Sequence, residues 1–188
     1  MARYSVILDA CVLYPAPLRD LFMRLAMEDL FMARWTDLIH EEWINALMRQ
    51  GKFLREDLER IKCLMDSHVR DAKVTGFEGL IESISLPDPD DRHVVAAAIR
   101  AGADAIVSFN LKDFPTNELE KYDLEVIHPD DFVCFQLELA PGAACQAIKQ
   151  QREALKNPPI DKEKFLAILQ KQQLPQTVNI LRQYTSLI

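Results

Sequence analysis

The chain has 188 residues, of which 49% are hydrophobic and 27% charged, with a net charge of −7. These values exclude a disordered or fibrous chain, and the length suffices for one medium domain plus an appendage without disulfides or a structural metal. The acidic balance excludes a protein that coats nucleic acid nonspecifically, although it leaves room for a local substrate groove.

Taken in chain order, Tyr4 to Leu8 reads as a short buried strand. Leu18 to Met27 reads as a helix with Leu18, Leu21, Phe22 and Leu25 on one face. Pro15 and Pro17 punctuate the loop between them. Leu30 to Trp35 predicts a second strand, and Asp37 is a candidate N-cap for a helix that carries Leu38, Ile39, Glu42, Trp43 and Leu47. Arg55 to Asp71 predicts a packing helix, with Leu58, Ile61, Leu64, Met65 and His68 at helical spacing. A short strand is expected near Ser83 to Leu86, then a helix from about Asp90 to Ala101. Ala105 to Val107 and Leu124 to Ile127 supply the last strands. Alternating strands and helices define an α/β class with a mostly parallel sheet flanked by helices, whose ligands bind beyond the carboxyl ends of the strands.

After about Pro129 only helical periodicity remains, through Phe132 to Leu139, Ala143 to Leu155, Phe165 to Leu169 and Val178 to Leu187. Asp161 is the expected cap of the third of these helices. The expected organisation is therefore residues 1–135 as the α/β domain and 136–188 as a helical C-terminal extension. The amino terminus lacks the apolar core of a signal peptide, and no apolar run approaches about 18 residues, so a cytoplasmic protein that does not cross a membrane is expected. Cys11, Cys63, Cys134 and Cys145 are scattered in apolar surroundings, which predicts buried thiols in place of disulfides or zinc ligands.

Four acids stand out, three at element boundaries and one on a helix. Asp9 ends the first apolar run, Asp91 closes Asp-Pro-Asp-Asp before an Ala/Val-rich helix, Asp113 follows Ser-Phe-Asn-Leu-Lys, and Glu42 projects from a helix. Carboxylates are hard ligands suited to Mg²⁺ or Mn²⁺, and such a cluster can activate water and neutralise a scissile phosphate. Each acid also has a plainer reading: Asp88, Asp90 and Asp91 can cap a helix, and Glu41 with Glu42 can form a solvated face. Asp9 beside Val-Ile-Leu resists that reading, because burying a carboxylate without a partner is costly. Lys112, Arg92, Arg19 and Arg49 are candidates to steer phosphates. Trp35 and Trp43 are expected in the core, and His40, His68, His93 and His128, which lack ligand spacing, in structural roles.

These residues resemble the PIN-domain ribonucleases, in particular VapC-type toxins of toxin–antitoxin pairs, over about residues 3 to 135. Val-Ile-Leu-Asp9 is similar to the family's first strand and acid, Glu42 with Leu47 to its helical acid, Asp91 with Val94 to Ala97 to its third acid, and Ala103 to Phe114 to its fourth block. Ala10-Cys11 departs from the Thr or Ser and Asn of many relatives. Asn110 stands where some carry Asp, so Asn110 and Asp113 share the fourth corner. The resemblance implies a three-layer PIN-like fold and an Mg²⁺- or Mn²⁺-dependent endoribonuclease with Asp9, Glu42, Asp91 and Asp113 as catalytic metal ligands. Ser108, Asn110, Lys112 and Arg92 would support substrate. It further implies an RNA substrate, a cognate antitoxin and pairing of two copies. A PIN-like protein-interaction module with little catalysis is the alternative. An aspartyl-phosphate phosphatase ranks below both, because Cys11 occupies the position of its second Asp.

Overall fold

The computed structural model describes residues 4–188. Its strands are β1 (Ser5–Leu8), β2 (Met32–Arg34), β3 (Ala105–Val107) and β4 (Glu125–Ile127). Its helices are α1 (Ala10–Leu13), α2 (Ala16–Met27), α3 (Asp37–Met48), α4 (Arg55–His68) and α5 (Arg92–Ala101), followed by α6 (Thr116–Leu119). The chain ends in α7 (Pro129–Leu139), α8 (Pro141–Ala154), α9 (Lys162–Lys171) and α10 (Pro175–Gln183). Two compact units result: the chain up to Tyr14 with Phe31–His128, and Pro15–Leu30 with Pro129–Ile188. Among the described residues, no helix is long and apolar enough to cross a membrane.

In the first unit the four strands form a parallel sheet in the order β2-β1-β3-β4. Val6, Ile7 and Leu8 on β1 and Ala105, Ile106 and Val107 on β3 are all fully buried. Burial on both faces explains why these strands read as unbroken apolar runs, without the alternation of a half-exposed sheet. Helix α5 packs on β1 and β3; its buried Val94, Val95, Ala96, Ala97 and Ala98 are small enough for close approach. Gly102 ends it in the left-handed region, at φ 58° and ψ 43°, where a Cβ would be strained.

Several local expectations are corrected. The cap of α3 is Thr36, in extended conformation, whose hydroxyl accepts from Ile39 N at 3.1 Å. Asp37 is instead the first helical residue, ion-paired with Lys62 and Lys73 at 2.8 and 2.7 Å. On α4 only Leu58 and Met65 are buried, and Leu64 is 51% exposed. No strand forms at residues 83–86: a 3-10 helix spans Glu78–Ser83, and Ile84 and Leu86 are buried from an unpaired segment. Cys63 is exposed and Cys11 half-buried, while Cys134 and Cys145 are buried; all four are free thiols.

Trp35 and Trp43 lie in the core as expected, at 0% and 1% exposure, and a polar chain connects them. Trp43 Nε1 donates to His40 Nδ1 at 3.0 Å, His40 Nε2 lies 3.2 Å from Asp66 Oδ1, and Trp35 Nε1 donates to the same oxygen at 2.7 Å. Because Nδ1 accepts, the proton of the neutral ring sits on Nε2 and points at Asp66. Burial holds the His40 pKa below its ordinary value, against the pull of Asp66.

The second unit is helical, with α2 packed on α8 and α9, and α7 on α8 and α10. Phe22 and Phe132 stack at 5.7 Å. Asp161 caps α9, accepting from Lys164 N at 2.8 Å. Helix α10 begins on Leu174, which offers no side-chain cap. Its free N–H groups are met from α7: buried Asp130 accepts from Gln176 N at 2.8 Å and Thr177 N at 2.9 Å. Asp130→Ala therefore removes a charged acceptor from two helix N–H donors, that of Thr177 buried, an expected loss of about 2 kcal/mol. Denaturant titration measures that loss, and faster amide exchange at Gln176 and Thr177 locates it. Unchanged exchange at both would refute the capping role.

Candidate active site

From β1 the sheet continues to β2 on one side, and from β3 to β4 on the other. Connections leaving adjacent strands in opposite directions open a crevice at their carboxyl ends, the usual ligand position in open α/β sheets. Backbone pairing extends one residue past the strands, with Asp9 N donating to Val107 O at 3.1 Å and Ser108 N to Ile127 O at 3.1 Å. Asp9 and Ser108 are thus carried to the mouth of that crevice by the sheet itself.

Asp9 is only 5% exposed. Its Oδ1 accepts from Ala10 N at 2.6 Å, which caps α1, and its Oδ2 accepts from the Ser108 hydroxyl at 2.6 Å and the Cys11 thiol at 3.1 Å. These donors are themselves held: Asn110 N donates to Ser108 Oγ at 3.0 Å, and Phe109 N to Cys11 Sγ at 3.4 Å. Burial raises the Asp9 pKa, the three hydrogen bonds oppose it, and the Glu42 charge adds to it. Cys11, where this chain departs from the hydroxyl and amide residues of many relatives, is one of the donors. Its thiol is pushed up to about 12, first by burial and then by the Asp9 charge, so it acts as a donor and not as a thiolate.

Asp91 ends the 3-10 helix Pro89–Asp91 and is half-buried. Its pKa rises to about 7, first through burial and then through the like charges of Asp9, Asp113, Asp88 and Glu42. Asp9, Glu42 and Asp113 therefore all fall within electrostatic reach of Asp91. The neighbouring acids separate by geometry. Asp88 caps the turn, accepting from Asp90 N at 2.9 Å, and Asp90 is exposed. Glu41 pairs with Arg55 at 2.7 Å on the surface. Glu42 lies 2.7 Å from His93 Nε2, a contact that helical spacing could have suggested for neither residue, since they sit on α3 and α5.

Asp113 closes the 3-10 helix Leu111–Asp113, its N–H donating to Asn110 O at 3.0 Å. Asn110 and Lys112 are exposed and Arg92 half-buried. Arg49 is exposed on the C-cap of α3. Arg19 is 7% exposed within the second unit, with burial lowering its pKa to about 10; a side chain so enclosed does not present itself to a phosphate.

Among the described residues, no three Asp, Glu, His or Cys side chains stand close enough together to hold a metal ion. The donor set nevertheless fits a hard divalent cation in its chemistry. Its ligands would all be oxygens, and a cation among the acids would offset both the burial that chiefly raises Asp91 and the like charges that add to it.

The sheet order, the switch-point crevice and its acids define an α/β protein of the PIN type. The PIN-domain family model matches residues 5–112, more than half of the chain, and the chain belongs to that family. The match ends one residue before Asp113. A second model, the VapC50 C-terminal domain, matches residues 129–183. The chain is 42% identical over 86 residues to the protein of Mycobacterium tuberculosis named "Putative ribonuclease VapC50", an alignment covering 46% of this chain and 50% of that protein. The match thus spans about half the length of this curated relative. No solved structure matches the chain.

Proposed function

We propose that the protein is a divalent-metal-dependent endoribonuclease and the toxin of a toxin–antitoxin pair, with Asp9, Glu42, Asp91 and Asp113 as its metal-binding acids. The observation that supports this reading is that Asp9, Glu42 and Asp113 all bear electrostatically on Asp91 beside the switch point, their like charges adding to burial in raising its pKa to about 7. Membership of the PIN family and likeness to a protein named a ribonuclease supply the chemical class.

Asp9 is the fixed member of the set, since three donors orient its carboxylate before anything binds. Glu42, Asp91 and Asp113 would draw in around a cation from helix, turn and loop. Bound there, Mg²⁺ or Mn²⁺ would lower the pKa of attacking water and neutralise the scissile phosphate. Asn110, with its backbone anchored on Ser108, exposes an amide to substrate. Lys112 and Arg92 supply the cationic charge that an RNA backbone requires at an otherwise acidic mouth. By likeness to VapC-type toxins, the partners are an RNA substrate and a cognate antitoxin, with two copies pairing, and the compartment is the cytoplasm.

The test is cleavage of a panel of small RNAs by the full chain with Mg²⁺ or Mn²⁺, beside the same reaction in excess EDTA. Cleavage that disappears with EDTA and returns with excess Mn²⁺ is expected; undiminished cleavage in EDTA would exclude the mechanism. A protein-interaction module draws on one observation, the lack of any ligating trio among the described residues. It would gain if the chain bound no Mn²⁺ up to millimolar concentration while holding a stable protein partner.

A further inference from the structure

We infer that His93 is a positioning residue that aims the Glu42 carboxylate into the acidic site, an inference that rests on the metal-dependent reading above. Glu42 carries the longest side chain of the four acids. Its side chain is 43% exposed, it has three rotatable bonds, and its neighbours Asp9 and Asp91 repel it. A single strong donor on a rigid support is what such a side chain needs to stay at the site.

His93 supplies that support. It lies in the first turn of α5, two residues after Asp91, and is 7% exposed. Its Nε2 stands 2.7 Å from Glu42 Oε1, while Nδ1 is shielded from solvent and meets no partner among the described residues. A proton on Nδ1 would have no acceptor, so the neutral ring carries its proton on Nε2 and donates to Glu42. Leaving Nδ1 unsatisfied carries a cost that an apolar ring of similar size would avoid. The return on that cost is the Glu42 bond. One short stretch of chain therefore sets two acids, Asp91 directly and Glu42 through the ring, and links α5 to α3 at the level of the site. Partners that hydrogen-bond a metal's carboxylate ligands commonly change affinity or activity by about 10–100-fold when removed.

The experiment uses the full chain and the variants His93→Phe, His93→Gln and His93→Asn, with Mn²⁺ alone as the probe in calorimetric titration. A glutamine amide nitrogen reaches the place of Nε2, an asparagine amide only that of Nδ1. The expected result is a loss of about 10–100-fold in Mn²⁺ affinity for the Phe and Asn variants, with Gln recovering to within about threefold of the parent. Unchanged affinity in all three overturns the inference, and so does an equal loss in all three, which would mean that the ring acts by packing. The ¹⁵N spectrum of the His93 ring provides a second readout that needs no metal. The ring is expected to be protonated at Nε2 in the parent and to lose that preference in Glu42→Ala, where the exposed side chain can be removed without unfolding. If the parent binds no Mn²⁺, the metal reading fails and the ring spectrum alone decides: a tautomer indifferent to Glu42→Ala overturns the positioning role, and a shifted one upholds it.

Discussion

Asp9→Asn is expected to lower RNA cleavage by about 10²–10³-fold or more while leaving the fold intact, the scale of losing one preorganised charge interaction at a buried carboxylate. The substitution keeps the volume of a side chain that is 5% exposed, so no cavity opens. Its amide oxygen can still accept from Ala10 N or from the Ser108 hydroxyl, the two shortest contacts of the native carboxylate at 2.6 Å each. What it cannot do is carry charge or offer two anionic oxygens to a cation. Stability and chemistry should therefore separate, with near-native thermal unfolding of the metal-free variant, no measurable Mn²⁺ binding and residual cleavage near background. Cleavage within about threefold of the parent would remove Asp9 from the reaction.

Asp91→Asn should move stability and activity in opposite directions. In the folded chain Asp91 holds its proton to about pH 7, against an ordinary value of 3.8. Between those values the folded state binds more protons than the unfolded one, so metal-free stability falls as pH rises from about 4 to about 7 and stays low above. Asparagine has no proton to lose. The stability difference between variant and parent should be near zero at pH 4, grow through that window, and level off above pH 7 at about 1–2 kcal/mol in favour of the variant, once solvent screening of a half-exposed carboxyl is allowed for. Mn²⁺ should reverse the order, because only the parent gains strongly from binding. Cleavage should fall as for Asp9→Asn. Thermal melts across pH 4–8, with and without Mn²⁺, measure both effects; a metal-free parent more stable than the variant at pH 8 would contradict the electrostatic account.

The elements legible in the sequence were those whose burial is two-sided or strongly periodic. Val6 to Leu8 and Ala105 to Val107 are continuous apolar runs because the sheet covers both faces, and α2, α3 and α5 show their apolar stripes openly. Residues 83–86 misled for a physical reason. Ile84 and Leu86 alternate with exposed Ser83 and Ser85, which satisfies the strand period, yet periodicity reports which side chains are buried and not which backbone is paired. The cap of α3 was misplaced by one residue because Thr36 and Asp37 are both good caps, and only the extended backbone of Thr36 decides. At the site, Asp9, Asp91 and Asp113 stood out because each ends an element, and Glu42 because of its register with Leu47 on α3. Cys11 and His93 did not, since a thiol two residues after Asp9 and a ring on a helix face reveal nothing until Ser108 and Glu42 are brought to them from 97 and 51 residues away.

The pairing that carries Asp9 N to Val107 O and Ser108 N to Ile127 O makes the sheet a ruler for the chemistry. In a strand, a slip of one residue turns every side chain to the opposite face, so a shift of β1 against β3 would turn Asp9 away from the Ser108 hydroxyl and from Asp91. The alignment that buries Val6, Ile7 and Ile106 is also the alignment that assembles the acids. Repacking of this core, however conservative in volume, is expected to alter the spacing of Asp9 and Ser108 as well as the stability of the fold. In this protein the interior side chains of β1 and β3 hold Asp9 and Ser108 in the same sense that a lens mount holds the optics.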